Sequence, residues 1–267
     1  MNKGVVSVLV AYLIWGLYPF YFHAMQHVAP TEIVIHRVLW TFALLAVYLF
    51  CSRRWRWIQK AITDRRTVAV FLMSSVLITA NWSTYTYAIV TNQTLEASLG
   101  YFMNPLVSVL LGTVFLKEKL NKAQMLAIVF ACAGVMWVTF KQGEFPALGL
   151  TLALSFGFYG LVRKMAPLGS LEGLTLETAF AFPVALLATF YFAGNGDLTF
   201  VHGTSWDKFW LIMAGPITTI PLILFAYGLK QVPYSTVGFI QYLSPTMVFF
   251  IGLFFFGEEL QVDRLIG

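Results

Sequence analysis

Long apolar runs alternate with short polar segments along the whole chain. Nine runs come close to or exceed the roughly 20 residues a helix needs to cross a bilayer: 4–22, 31–51, 67–90, 94–116, 121–140, 147–165, 171–193, 208–229 and 234–256. They cannot be strands, because an open sheet edge in lipid leaves backbone groups without hydrogen-bond partners. The segments between them are mostly short, which forces neighbouring helices to run antiparallel. The pattern predicts an all-α membrane protein.

The runs repeat. Residues 94–120 (TLEASLGYFMNPLVSVLLGTVFLKEKL) align without a gap on residues 234–260 (YSTVGFIQYLSPTMVFFIGLFFFGEEL) at an offset of 140. The alignment pairs Pro105 with Pro245, Gly112 with Gly252 and Glu118 with Glu258. Tyr87 pairs with Tyr227 and Glu32 with Glu172 at the same offset. The chain therefore divides into a first five-helix unit, 1–145, and a second unit, 146–267. Five is odd, so the second unit is expected to enter the membrane upside down, as an inverted-topology repeat. A tenth helix should match 121–140; the chain stops about where it would begin, so nine helices are expected with the tenth truncated. Duplicated helical bundles commonly bind a solute between their halves and move it across the bilayer.

Composition agrees. The chain is 59% hydrophobic and 11% charged, against about 25% charged in soluble domains. The net charge of +5 does not form a nucleic-acid face. Thirteen of the 17 Lys and Arg residues fall in segments on one side: Lys3, Arg53, Arg54, Arg56, Lys60, Arg65, Arg66, Lys117, Lys119, Lys122, Arg163, Lys164 and Lys230. Lys141, Lys208 and Arg264 fall on the other. The excess of positive charge places the N-terminus in the cytoplasm. The run RRWRWIQKAITDRR (53–66) then reads as a cytoplasmic interfacial segment on anionic headgroups. Cys51 and Cys132 have neither disulfide nor metal spacing.

Charges inside the apolar runs are costly and normally face the bundle interior. Arg37 lies six residues into the second run, about 9 Å deep, and Glu177 lies equally far into the seventh. They occupy equivalent repeat positions with opposite sign. Glu96 begins the fourth run and Arg163 ends the sixth. Depth suggests two ion pairs, Arg37–Glu96 outside and Arg163–Glu177 inside. They read either as gates that open alternately or as static pairs that hold helices together. His36 is adjacent to Arg37 and points about 100° away; it offers a route for a proton as coupling ion, or simply bonds a neighbour. Asn81 and Tyr85 share a face of the third run. Asn104 and Gln241 precede Pro105 and Pro245, where proline frees a carbonyl one turn earlier. With Trp15, Tyr18, Trp82, Tyr101, Tyr159 and Tyr242 they would form an aromatic cavity with a few polar anchors. The bland reading is that the aromatics are core or interfacial belt, and that Gly100 and Gly238 permit close helix packing.

WGLYPFYF (15–22), EIVIHRVLW (32–40), NWSTYTYAI (81–89), EASLGYFMNPLVSVLLG (96–112), FGFYGLVRK (156–164), GPITTIPLILF (215–225) and GFIQYLSPTMVF (238–249) together resemble the drug/metabolite transporter superfamily, its EamA-like repeats and specifically its RarD branch. The resemblance implies ten helices in two inverted repeats, a bacterial inner membrane and a permease role. A secondary transporter of a small organic metabolite or amphipathic drug-like molecule is the leading expectation; a membrane-embedded enzyme and a channel are the alternatives. No HExxH, GxSxG or phosphate-cradling GxxxxGK[ST] motif is present, so no catalytic residue, metal or cofactor is expected.

Overall fold

The computed structural model describes residues 2–90, 94–142 and 146–256, with side chains for 2–88, 100–137, 139–140 and 146–256. All regular elements among them are helices: α1 (Lys3–Gly16), α2 (Tyr18–Ala24), α3 (Pro30–Ser52), α4 (Arg56–Thr63), α5 (Arg65–Val90), α6 (Thr94–Phe115), α7 (Lys122–Gln142), α8 (Ala147–Met165), α9 (Ser170–Asn195), α10 (Thr199–His202), α11 (Ser205–Leu229), α12 (Tyr234–Gln241) and α13 (Leu243–Phe255).

Among the described residues six spans are both long and apolar enough to cross a membrane: Lys3–Ala24, Pro30–Ser52, Arg65–Ala88, Ser170–Asn195, Ser205–Leu229 and Tyr234–Phe255. The other three predicted runs form α6, α7 and α8. Two predicted helices are interrupted. The first breaks at Leu17, and Pro19 then opens α2 where its missing N–H costs nothing. The last breaks at Tyr242, three residues before Pro245. Its repeat equivalent, Pro105, lies inside an uninterrupted α6, so the two proline sites are not alike.

Helices of one half pack on helices of the other. The close pairs include α6 with α8, α1 with α13, α3 with α11, α5 with α9, α1 with α11, and α5 with α8. Shifting each helix by the 140-residue offset carries these pairs into one another, while α3–α9 and α6–α12 map onto themselves. The core therefore lies between the halves. It includes Tyr12, Trp82, Tyr159, Phe225 and Tyr234. Phe50, Phe130, Phe140 and Leu187 point outward from the bundle, where an apolar side chain is stable only against lipid.

Carboxylates tie helix ends together across the repeat. Glu118 accepts the backbone N–H groups of Tyr234 (2.6 Å) and Ser235 (2.8 Å) at the start of α12. Glu32 does the same for Thr199 (2.9 Å) and Phe200 (2.7 Å) at α10. A carboxylate at a helix start fills orphan donors and meets the positive end of the dipole. Glu258, the repeat equivalent of Glu118, lies outside the described residues.

Candidate functional site

Helix α5 runs past two charged centres. Trp82, near its middle, carries the Arg37 guanidinium 4.2 Å above its ring. Ser74, eight residues earlier and so about 12 Å along the helix, donates a short hydrogen bond to Glu177 Oε1. A small cavity lies between Trp82 and Glu177. It is lined by Ser75, Ile78, Thr79 and Trp82 of α5, Val38 of α3, Glu177 and Thr178 of α9, and Leu222 of α11.

Arg37 is buried at 8% exposure. Its Nε–H donates to Thr218 Oγ1 at 3.0 Å. Among the described residues no carboxylate lies within 4.0 Å of it. The side chain of Glu96, its expected counter-ion, lies outside the described residues. The Arg37 charge lies within electrostatic reach of the Tyr18, Tyr85 and Tyr101 hydroxyls. Tyr85 meets Tyr101 edge-on at 5.8 Å and Phe22 at 6.0 Å, and Phe22 meets Tyr18 at 5.9 Å. Tyr18 has a second task. Pro221 removes the donor for the Ile217 carbonyl, and the Tyr18 hydroxyl donates to that carbonyl at 2.8 Å.

The second centre is enclosed. Arg163 Nε lies 3.3 Å from Glu177 Oε1, and the side chains are 1% and 2% exposed. Glu177 Oε2 accepts from the Tyr159 hydroxyl at 3.4 Å, and its backbone carbonyl accepts from Ser75 Oγ at 2.8 Å. Arg163 donates to the Ser170 carbonyl at 3.0 Å and lies over Phe71. Its Nε and Nη1 are buried without a hydrogen bond, so this is an ion pair by distance that is not drawn into bidentate contact. Gly173 makes room for it: a Cβ there would lie 1.8 Å from Arg163 Nη1.

Two lysines close the same end. Lys164 Nζ donates to the carbonyls of Leu229 (2.7 Å) and Val232 (2.6 Å). Lys230 Nζ reaches back to the carbonyls of Ala166 (2.8 Å) and Leu168. The ammonium of each thus sits on carbonyls at the foot of the other's helix, a favourable place for a cation. Burial pushes the Lys230 ammonium below its ordinary pKa; the Arg163 charge adds to that shift and Glu172 opposes it.

The remaining candidates divide. Trp15 packs edge-on against Phe156 and Phe225. Tyr159 is fully buried and stacks on Phe225, which puts it in the core beside Glu177. Asn81 spends its amide on the Leu152 carbonyl and Ser155 Oγ, both at 3.0 Å, which ties α5 to α8. Gln241 Oε1 lies 3.3 Å from Ser108 Oγ. Asn104 Oδ1 and the Tyr242 hydroxyl are buried with no hydrogen bond among the described residues. A Cβ at Gly238 would lie 2.9 Å from the Pro105 carbonyl, and one at Gly100 2.8 Å from the Gly149 carbonyl; both glycines permit backbones to meet. His36 is buried and accepts from Trp40 Nε1 at 2.9 Å. Sequence reasoning missed Thr218, Ser74 and Gly173. Their repeat equivalents are Ile78, Ala214 and Ile33, so the duplication carries no signal for them.

Comparison with known proteins places this geometry. The profile of the EamA-like transporter family matches residues 2–140 and again 146–267. The chain is 41% identical to YojE of Bacillus subtilis, an uncharacterized transporter, over 98% of this chain and 89% of that protein. It is 37% identical to the protein RarD of Escherichia coli K12, over 99% and 90%. The chloramphenicol-sensitive protein RarD of Pseudomonas aeruginosa is 27% identical, over 99% and 89%. A solved crystal structure superposes with a TM-score of 0.70 at 14% identity, covering 99% of this chain and 94% of its own, which speaks to the fold. Apolar helices long enough to span a bilayer, helices paired across two halves and two matches to one family profile converge: this chain is a multi-pass membrane protein of the EamA-like transporter family, in its RarD branch.

Proposed function

We propose that the protein is a secondary transporter that moves a small organic metabolite or amphipathic drug-like molecule across the bacterial inner membrane by alternating access. The N-terminus is cytoplasmic in this reading, because most Lys and Arg residues then lie inside. One observation carries the proposal: the two charged centres differ in closure. At the inner end Arg163, Glu177, Lys164 and Lys230 join α8, α9 and α11 across short distances. At the outer end Arg37 has no carboxylate within ion-pair distance among the described residues. A closed inner end beside an outer cation with no counter-ion among the described residues matches one state of an alternating-access cycle.

In the cycle, the Arg163–Glu177 pair separates when the inner end opens, and Arg37 is covered when the outer end closes. Trp82 stands between the two as the barrier. The loose 3.3 Å contact at Glu177 suits a pair that must part, since a bidentate pair holds more strongly. A proton as coupling ion is one energy source for this cycle. The test compares metabolites of cells lacking and overproducing the protein, followed by uptake of the most changed metabolite in proteoliposomes. Protein-dependent uptake of the unaltered molecule is expected. A chemically changed product, or no uptake of any changed metabolite, overturns the reading.

A further inference from the structure

We infer that Arg37 and the aromatic cage beside it form the seat for an organic monoanion with an aromatic body, its carboxylate on the guanidinium. This rests on the transporter reading above and names the substrate class of that site.

The guanidinium has five N–H donors. Among the described residues it uses one, from Nε to Thr218 Oγ1. Trp82 covers one face of the group. No described residue bonds the terminal fork, the edge that matches a carboxylate with two parallel hydrogen bonds. A buried cation in a membrane protein is costly without a negative partner, so an arriving carboxylate gains more here than it would in water. Among the described residues the site offers one cation, which fits a single negative charge and disfavours a dianion such as a phosphate monoester.

The aromatic half of the ligand follows from the surroundings. The Arg37 charge reaches the Tyr85 and Tyr101 hydroxyls, and Tyr85 meets Tyr101 edge-on and Phe22 at a tilt. Tyr101 is 44% exposed, so its ring is reachable from outside the core. Rings spaced about 6 Å apart with tilted planes accept a further ring edge-on or offset. The inner centre lacks these properties: Arg163 is enclosed and paired with Glu177. The two cations therefore divide the work, Arg163 closing the inner end and Arg37 holding the ligand.

The test uses the full chain in lipid nanodiscs and reads quenching of tryptophan fluorescence, corrected with empty nanodiscs. The probes are 1-naphthoate, 1-naphthamide and 1-naphthylmethylammonium, which share a ring system and differ in charge. Naphthoate is expected to bind at least about tenfold more tightly than either of the others, the scale of one charge-assisted contact. Arg37→Gln should abolish that preference. Tyr101→Ala, at a partly exposed position, should weaken naphthoate and naphthamide together and keep the preference, which separates loss of the ring contact from loss of the fold. Equal affinity for naphthoate and naphthamide overturns the inference, as does a preference that survives Arg37→Gln. Binding here requires no transport. No anion preference alongside intact transport of a metabolite removes the anion site alone; naphthoate binding by a protein that transports nothing removes the transporter reading alone.

Discussion

Arg163 Nε and Glu177 Oε1 lie 3.3 Å apart in the interior of the bundle, with Ser74 donating to the same carboxylate oxygen. Truncating one partner leaves the other as an uncompensated buried charge. Glu177→Ala should cost about 3–5 kcal/mol of stability, and replacing both residues by apolar ones of similar volume should cost far less. Thermal unfolding of the single and double variants in nanodiscs measures this. The double variant should also lose transport, because the pair acts as a gate; transport retained in it would show that the pair only joins α8 to α9.

Tyr18 and Pro221 form a second coupled pair. The Tyr18 hydroxyl satisfies the Ile217 carbonyl that Pro221 deprives of a helical donor. Tyr18→Phe should cost about 1–3 kcal/mol, the penalty for an unsatisfied buried acceptor. In a Pro221→Ala background the same change should cost markedly less, because alanine restores the backbone donor. A double-mutant cycle on the unfolding midpoint checks it; strictly additive effects contradict the assignment.

Glu118 is expected to act through helix α12. Glu118→Ala removes the acceptor for the Tyr234 and Ser235 N–H groups and should destabilise the protein by about 0.5–2 kcal/mol. Glu118→Gln keeps an acceptor and should fall between. Hydrogen exchange at the two amides reads the loss locally: they should exchange faster in Glu118→Ala while amides in the middle of α3 do not.

The predicted orientation is tested at Gln59, an exposed position in α4. After Cys51 and Cys132 are replaced, a cysteine at Gln59 should resist an impermeant thiol reagent added to whole cells and react once the cells are opened. Labelling of intact cells contradicts a cytoplasmic 52–66 segment.

Much of this architecture was legible in the apolar runs, because lipid allows a single chain few alternatives to helices. The break at Tyr242 was harder to read: Pro105 and Pro245 look equivalent in sequence, yet α6 continues through one while the helix is interrupted ahead of the other. Depth along the helices was enough to bring Arg163 and Glu177 together as a suggestion. It could not supply Ser74 or Thr218, since the residue facing a charge across the bundle depends on helix rotation that a repeat with unlike side chains does not record. Tyr159 illustrates the same limit. Its type suggested a cavity wall, and its rotation places it in the core against Phe225. Gly173 carries no signal in the sequence either, because its role depends on the Arg163 guanidinium filling the space its missing Cβ leaves.

The central claim is exchange of solute between two alternating faces, and counterflow tests it most directly. Proteoliposomes are loaded with unlabelled metabolite, the one found by comparative metabolomics, and a trace of labelled metabolite is added outside. The account predicts that label enters faster than into empty vesicles and rises transiently above its equilibrium level, because a carrier returns loaded. It also predicts that Glu177→Gln lowers the overshoot. Protein-dependent entry that only approaches equilibrium, with no overshoot and no effect of the internal load, would contradict alternating access and point to a channel.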